Sequence, residues 1–418
     1  MIVTASKVLP ITRPYITNGA LLLHANKIKA VGSSKEILRQ YPNERVVELD
    51  GFALMPGLIN LHTHLDLSHL KGAAGEKDDF VDWITALVDA KKKIGDKGVV
   101  PAARKALREA VSTGTTCIGD ISSSDVTMGL LVKSGIRAVS FLEVIGLDGS
   151  QARAIFKRLM ERLKGYGDLP DRIRLGISPH SAYSVSTQLY KLLSCNTSCI
   201  NMLMAIHLSE SIYESSYMSG KSSRMDRYME KFGWDSLEPN RGRTSLEFIK
   251  GFGLEKGMLA VHGVHLTDGD ITLLRDAGAS VAHCPRSNYM LKVGKAPVEK
   301  LIAKGVNVGI GTDSLASNVD LDLWEEMRFA YLVNRLQAEP VIRMATINGA
   351  KALRLDGVTG SLEAGKDADI IAIKMHPSKS KDIYQQLLMD TRPGDIAMTM
   401  VQGRPIYREE GFKARYGL

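Results

Sequence analysis

Pro56-Gly57-Leu58-Ile59-Asn60-Leu61-His62-Thr63-His64-Leu65-Asp66 is the stretch from which the rest of the chain can be read. An apolar run ends in two histidines separated by one residue. Side chains on a strand alternate between faces, so His62 and His64 point the same way at a strand end. Two imidazoles side by side form a chelating pair for a divalent metal ion. A strand that merely leaves the core also ends in polar residues, so the metal reading needs partners elsewhere in the chain.

The region 56–355 supplies a repeating frame for them. Besides Leu58–His64, apolar strand candidates are Thr115–Ile121, Arg137–Ile145, Arg172–Ser178, Asn201–Leu208, Gly257–His262, Ser280–His283 and Val306–Gly311. Helical patterns lie between them, such as Val100–Ser112 before Gly114 and Ala296–Lys304 before Gly305, each ended by the glycine that commonly follows a helix. About eight strand–helix units predict a (β/α)8 TIM barrel, whose chemically useful residues sit at the C-terminal ends of its strands. Six of the ten histidines fall there: His62, His64, His180, His207, His262 and His283, with Asp313 after the eighth strand. The other four are His24, His69, His265 and His376; His24 and His376 fall in the β-rich ends and read as structural or exposed, and His265 reads as structural.

Residues 1–55 alternate short apolar runs with polar turns, as in Ala20–Leu23, Lys27–Gly32 and Arg45–Leu49. The C-terminal end repeats the pattern in Gly365–Ile373 and Ile396–Ile406. We therefore expect an α/β chain of two domains. Residues 1–55 and 356–418 form a small split β-sandwich built from both termini, and residues 56–355 form the catalytic barrel.

At 418 residues and net charge +8, the chain is long enough for both units. Its Lys and Arg are interspersed with acids, and neither a focused basic patch nor a nucleic-acid-binding module is present, which argues against a nucleic-acid partner. The positive balance still favours anionic substrates mildly. Of the four cysteines, Cys195 and Cys199 could form half a metal site, but no second pair follows, so those two read as packing residues or free thiols, and nothing suggests a disulfide framework. Without a signal peptide or a transmembrane-length apolar run, the expectation is a cytoplasmic protein with no membrane partner.

The motifs His62-Thr63-His64, Ser178-Pro179-His180, His207-Leu208-Ser209-Glu210, Val261-His262-Gly263-Val264-His265-Leu266, His283-Cys284-Pro285-Arg286-Ser287-Asn288 and Gly311-Thr312-Asp313-Ser314 occur in that order. With them, the chain resembles the amidohydrolase superfamily over essentially its whole length. It is most similar to the mononuclear-metal branch of nucleoside and nucleobase deaminases and chlorohydrolases. The resemblance implies one divalent metal ion per subunit, zinc with iron as the alternative, held by His62, His64, His207 and Asp313. It implies that Asp313 also accepts a proton from water, that Glu210 shuttles a proton to a ring nitrogen of the substrate, and that His262 stabilises the adding hydroxide. His180 and His283 become substrate contacts, or groups that support the site from behind, rather than ligands. The plainer readings are a helix cap for Asp313 and a solvated helix-start acid for Glu210.

Leu65-Asp66-Leu67-Ser68, Phe80-Val81-Asp82-Trp83-Ile84, Phe141-Leu142-Glu143-Val144-Ile145-Gly146 and Asp313-Ser314-Leu315-Ala316-Ser317-Asn318 look like the aminodeoxyfutalosine deaminases of the menaquinone pathway. Those enzymes usually carry Glu at the position of Asp66. That resemblance implies a purine nucleoside substrate with a benzoate tail, whose 6-amino group is replaced by oxygen. Phe80 and Trp83 could pack on an aromatic ring or belong to the core of a helix. Glu143 could bind ribose hydroxyls. Arg286 could meet a carboxylate or lie in a surface ion pair. The polar region 211–256 is expected to cover part of the site. The competing functions are deamination of S-adenosylhomocysteine or methylthioadenosine, then guanine deamination or chlorohydrolysis; a non-catalytic barrel scaffold is the non-enzyme reading. A nucleic-acid-editing deaminase is disfavoured, because its H-x-E and P-C-x-x-C signature is absent. A homodimer remains open.

Overall fold

The computed structural model describes the chain except residues 201, 236 and 238–240 and the side chains of residues 197–200. Both termini build one sheet. Strands β1 (Ile2–Val8), β2 (Ile16–His24), β3 (Lys27–Ser33) and β4 (Val46–Pro56) come from the start of the chain. Eight further strands follow in the middle: β5 (Leu58–Thr63), β6 (Thr115–Ser122), β7 (Arg137–Val144), β8 (Ile173–Pro179), β9 (Leu203–Leu208), β10 (Leu259–His262), β11 (Ser280–His283) and β12 (Asn307–Ile310). The C-terminal part adds β13 (Ile370–Lys374), β14 (Ile396–Val401) and β15 (Arg404–Arg408) to the terminal sheet. That sheet is continuous, seven-stranded and mixed, ordered β15-β14-β13-β4-β1-β2-β3, and only β1 and β4 pair in parallel. Its cluster of buried side chains includes Leu21, Leu54, Ile370 and Phe412.

Strands β5 to β12 lie side by side in sequence order, every paired neighbour parallel. All six residues of β5 are buried, which explains why the stretch before His62 is apolar except for Asn60. The first and last strands meet through a short seam. The amides of Thr312 and Asp313 donate to the His62 carbonyl at 3.1 and 2.9 Å. Asn60 reinforces it, its Nδ2 donating to Thr312 Oγ1 at 2.8 Å and its Oδ1 accepting from the Thr312 amide at 3.1 Å. The approach is close enough to require glycine at position 311, where a Cβ would lie 2.8 Å from His62 Cβ. The eight strands thus form a nearly closed TIM-type barrel, and the seam holds His62 and Asp313 together.

Barrel and terminal sheet are joined by a buried ion-pair cluster. Arg137 on β7 reaches Asp367 Oδ2 at 2.6 Å and Asp369 Oδ2 at 2.8 Å, just ahead of β13. After β5, the helix Phe80–Ile94 starts at Asp79, whose side chain accepts the amides of Val81 and Asp82 at 2.8 and 3.0 Å. It stops at Gly95, which has φ 61° and donates its amide to the Lys91 carbonyl. The sequence-predicted helices at 100–112 and 296–304 appear as Val99–Ser112 and Val298–Ala303. The strand expected from Asn201 begins at Leu203 among the described residues; Asn201 itself and the Cys199 side chain lie outside them. No described helix is long and apolar enough to cross a membrane.

Candidate metal centre

Four buried side chains converge where β5, β9 and the end of β12 meet. The Nε2 atoms of His64 and His207 are 3.3 Å apart, and Asp313 Oδ1 lies 3.3 Å from His62 Nε2 and 3.7 Å from His64 Nε2. His62, His64 and His207 can present ring nitrogens within 4.8 Å of one another, as can His62 and His262 with a carboxylate oxygen of Asp313. Both ring nitrogens of His62 are buried without a hydrogen-bond partner. In a protein interior such orphaned groups are costly unless something else satisfies them. His207 donates from Nδ1 to the His180 carbonyl at 2.9 Å, which leaves the lone pair of Nε2 facing the cluster. Asp313 Oδ2 accepts from the hydroxyls of Ser287 and Ser317 at 2.7 and 2.6 Å, so Oδ1 is the oxygen turned inward. Three imidazoles and one carboxylate suit a zinc-like ion, and these residues fit one.

The titration behaviour agrees. Burial lowers His62 and holds His64 and His207 well below the usual histidine range, so they stay neutral, the form that ligates metals. Burial acts to raise Asp313, but the His62 imidazole 3.3 Å away, with His262 and His64, outweighs it and holds that carboxyl well below its ordinary value. Strain is concentrated here too. Ser209, His262 and Asp313 all adopt left-handed backbone conformations, with φ 51°, 68° and 62°. For residues other than glycine this costs about 1–3 kcal/mol each and is seen where the surrounding structure fixes a functional geometry.

Glu210 and His262 face the cluster as a pair, Glu210 Oε1 being 3.5 Å from His262 Nε2. Burial pushes Glu210 up to about 7; the nearby charge of His262 pulls it down, and those of Asp313 and Glu214 push it up. For His262, burial works downward, but Glu210, Asp313 and the hydrogen bond to Asn288 together raise it. His262 Nδ1 donates to Asn288 Oδ1 at 2.9 Å, which turns Nε2 towards Glu210.

Two connected chambers open from this floor. A small inner one of about 70 Å3 is lined by His207, Glu210, His262 and Asp313, with Phe80 and Trp83 on its wall. The outer one is about 390 Å3 and shares His64, His180, Tyr183 and Ile84 with the first. His180 lines both, with Nδ1 2.8 Å from Ser184 Oγ, and burial brings it down to about 4. Glu143 lines the outer chamber, and its carboxyl is pushed up to about 7 by burial and then by the charge of Asp66.

Two of the residues singled out as substrate contacts are placed elsewhere. His283 is buried with Nε2 3.1 Å from Asn334 Oδ1 and lines neither chamber. Arg286 forks onto Asp320, at 2.7 and 3.2 Å, and its Nη1 lies 3.7 Å from Glu326, so its guanidinium is already paired with acids. From the region 211–256, Tyr228, Phe232 and Trp234 reach the outer chamber, whereas Arg224 pairs with Asp79 and Asp82 on the first barrel helix.

Two buried acids that sequence reasoning passed over support the site. Glu214 accepts the amides of Ser209 and Glu210 at 2.9 and 2.8 Å and the Ser245 hydroxyl at 2.6 Å, fixing the turn that carries Glu210. Ser211 caps the following helix through the Glu214 amide, a pattern readable in sequence, but nothing in it shows the acid turning inward. Asp120 on β6 accepts from the Leu65 amide at 2.9 Å and the Thr63 hydroxyl at 3.2 Å, bracing the His62–His64 strand end.

Comparison with known proteins gives the same frame. The chain is 28% identical over 411 residues to the 5-methylthioadenosine/S-adenosylhomocysteine deaminase of Moorella thermoacetica, covering 95% of this chain and 91% of that one. It superposes on the aminofutalosine deaminase of Helicobacter pylori, solved with methylthio-coformycin, with TM-score 0.88 and 22% identity over 97% of this chain and all of that one. An adenosine deaminase of Xanthomonas campestris with bound zinc superposes with TM-score 0.82 and 24% identity, over 97% and 92% of the two chains. The model of the amidohydrolase family matches residues 53–406, and the chain belongs to that family.

Proposed function

We propose that this protein is a hydrolytic deaminase that converts the 6-amino group of an adenine-type nucleoside to oxo with release of ammonia. The observation that carries the reading is the buried Glu210–His262 pair facing the His62, His64, His207 and Asp313 cluster across the floor of a chamber. In this reading those four residues hold one divalent ion, zinc with iron as the alternative. When bound, such an ion lowers the pKa of water from about 16 towards about 7 and so supplies a nucleophile at neutral pH.

The remaining work falls to the chain's own groups. Asp313 Oδ1 accepts the proton of the water that adds to C6. Glu210, with a carboxyl held at about 7, gives a proton to ring nitrogen N1 as charge collects there. His262 Nε2 supports the oxygen on C6 through charge and hydrogen bonding, while Asn288 fixes the ring. Asp313 passes the proton it took to the amino group and ammonia leaves with the C6–nitrogen bonding pair; the C6 hydroxyl gives its proton to Glu210 as the C6–oxygen double bond forms, which restores both acids. Trp83 walls the inner chamber against bulk water, His180 borders both chambers, and Glu143 is placed for ribose hydroxyls.

We assign 6-amino-6-deoxyfutalosine, within menaquinone biosynthesis, as the substrate. The motif resemblance supports this, as does the close superposition on an aminofutalosine deaminase. The competing substrates are methylthioadenosine and S-adenosylhomocysteine, favoured by the sequence relative from Moorella. They need the same centre and differ only in the tail. Ammonia release from 6-amino-6-deoxyfutalosine, methylthioadenosine, S-adenosylhomocysteine, adenosine and guanine, with metal counted, tests both levels. The reading expects the first to be turned over best. Preference for a thioether nucleoside would replace the substrate assignment, and no release from any adenine nucleoside by metal-loaded protein would overturn the deaminase.

A further inference from the structure

The helix Phe80–Ile94 presents Ile84, Leu87, Val88 and Lys91 to the outer chamber, a spacing of three, four and seven residues that sets them on one face. The first three are an apolar wall. The fourth ends that wall in an ammonium group, which a lysine stem lying along apolar surface can carry to a cavity mouth. Phe232 and Trp234 line the same chamber, so its surface is apolar and aromatic.

The charges in this chamber are unequal in their commitments. Lys92 Nζ sits 4.7 Å from the centre of the Phe232 ring, a cation–π contact. Glu143 is the acid in the lining; burial and then the charge of Asp66 push its carboxyl up to about 7, so it carries only part of a negative charge at neutral pH, and it has no ion pair with Lys91. Lys91 has no ion pair with a carboxylate among the described residues. Its Nζ donates to the neutral Ser123 hydroxyl at 3.3 Å, and that hydroxyl donates in turn to Asp66 Oδ2 at 2.6 Å. An ammonium has three protons to give, so this contact leaves donor capacity open. Lys91 shares this lining with His64, His180 and Glu143, which places it on the chamber that leads from the metal centre.

We propose that Lys91 is the specificity-determining residue of this site: it selects adenine nucleosides whose tail ends in a carboxylate, which pairs with its ammonium while the apolar part of the tail lies against Ile84, Leu87 and Val88. This rests on the deaminase reading for the reaction, but the recognition itself is a binding property. A neutral methylthio tail would fill the apolar wall and leave Lys91 without its anion. Arg286, committed to Asp320, does not compete for this role.

The test compares 6-amino-6-deoxyfutalosine with its methyl ester, which differs by the charge and one methyl group, on wild type, Lys91→Met and Lys91→Arg. Lys91 is solvent-exposed in the last helical turn, and Met and Arg have similar helix propensities, so both variants should fold. Wild type is expected to prefer the acid over the ester at least tenfold in kcat/KM. Lys91→Met should lose that preference and Lys91→Arg keep most of it. An acid-to-ester ratio unchanged by Lys91→Met would overturn the proposal. Dissociation constants of both compounds, measured by calorimetry, separate the two levels. Lys91-dependent preference in binding without ammonia release would uphold the recognition and sink the deaminase; ammonia release with no Lys91-dependent preference in binding or turnover would do the reverse.

Discussion

Glu210 does its proposed work through a proton, so its removal should divide binding from turnover. Glu210→Gln keeps size and one acceptor oxygen and touches none of the four candidate ligands. It should retain one metal ion per chain and lose about 10²–10⁴-fold in kcat, the usual worth of a positioned general acid. Near-normal turnover would take Glu210 out of the reaction. Asp120 offers a separate pH test, read in stability. Burial, and after it the charge of Asp66, pushes its carboxyl up to about 7, above the unfolded value near 4. With the folded value raised, its contribution is fully present below about 4 and is lost as pH rises through about 7. Asp120→Asn keeps an acceptor for Leu65 and can donate to Thr127, which now donates to Asp120 at 3.0 Å. Denaturant unfolding from pH 4 to pH 8 should show a decline in wild type worth up to ~4 kcal/mol and a flatter profile in the variant. Parallel profiles would refute the assignment.

At the scale of elements, the turn after β9 carries the account. Glu210 is aimed by its backbone, and that backbone hangs on the Glu214 carboxylate through two amides. Glu214→Ala leaves two buried amides and the Ser245 hydroxyl without their acceptor, each costing about 1–3 kcal/mol. We expect at least ~2 kcal/mol lower stability by urea unfolding, with kcat falling while metal content holds. This element also marks how far the sequence could be read. Several strand ends were legible because an apolar run closes on a chemically distinctive residue, as at His62, His207 and His262. The residues after the strand ends were not, since their partners come from distant loops. Arg286 looked available for a substrate carboxylate, but it turns onto Asp320, brought beside it by the fold. His283 occupies the same kind of strand-end position as His262, yet its ring is taken by Asn334 from a later helix.

Over the whole molecule, the barrel and the sheet built from both termini followed from periodicity, because parallel strands buried on both faces leave apolar runs and helices leave stripes. The continuity of the terminal sheet did not. It depends on β4 pairing with β1 on one side and β13 on the other, a contact between segments more than 300 residues apart. Nor was the docking of sheet to barrel legible, since Arg137 reads as an ordinary strand-start cation until Asp367 and Asp369 are folded against it. The seam between β5 and the end of β12 shows why this architecture matters. Closing the barrel is the act that brings His62 to Asp313, so the candidate centre and the fold are completed together.

The central claim is hydrolysis at C6 of an adenine ring. Its most direct test is turnover of 6-amino-6-deoxyfutalosine by metal-loaded enzyme in water enriched in oxygen-18, with the product weighed by mass spectrometry and ammonia counted beside it. The account predicts one heavy oxygen in the ring of each product molecule and one ammonia released for each. A product without the label, or loss of substrate without ammonia, would contradict it.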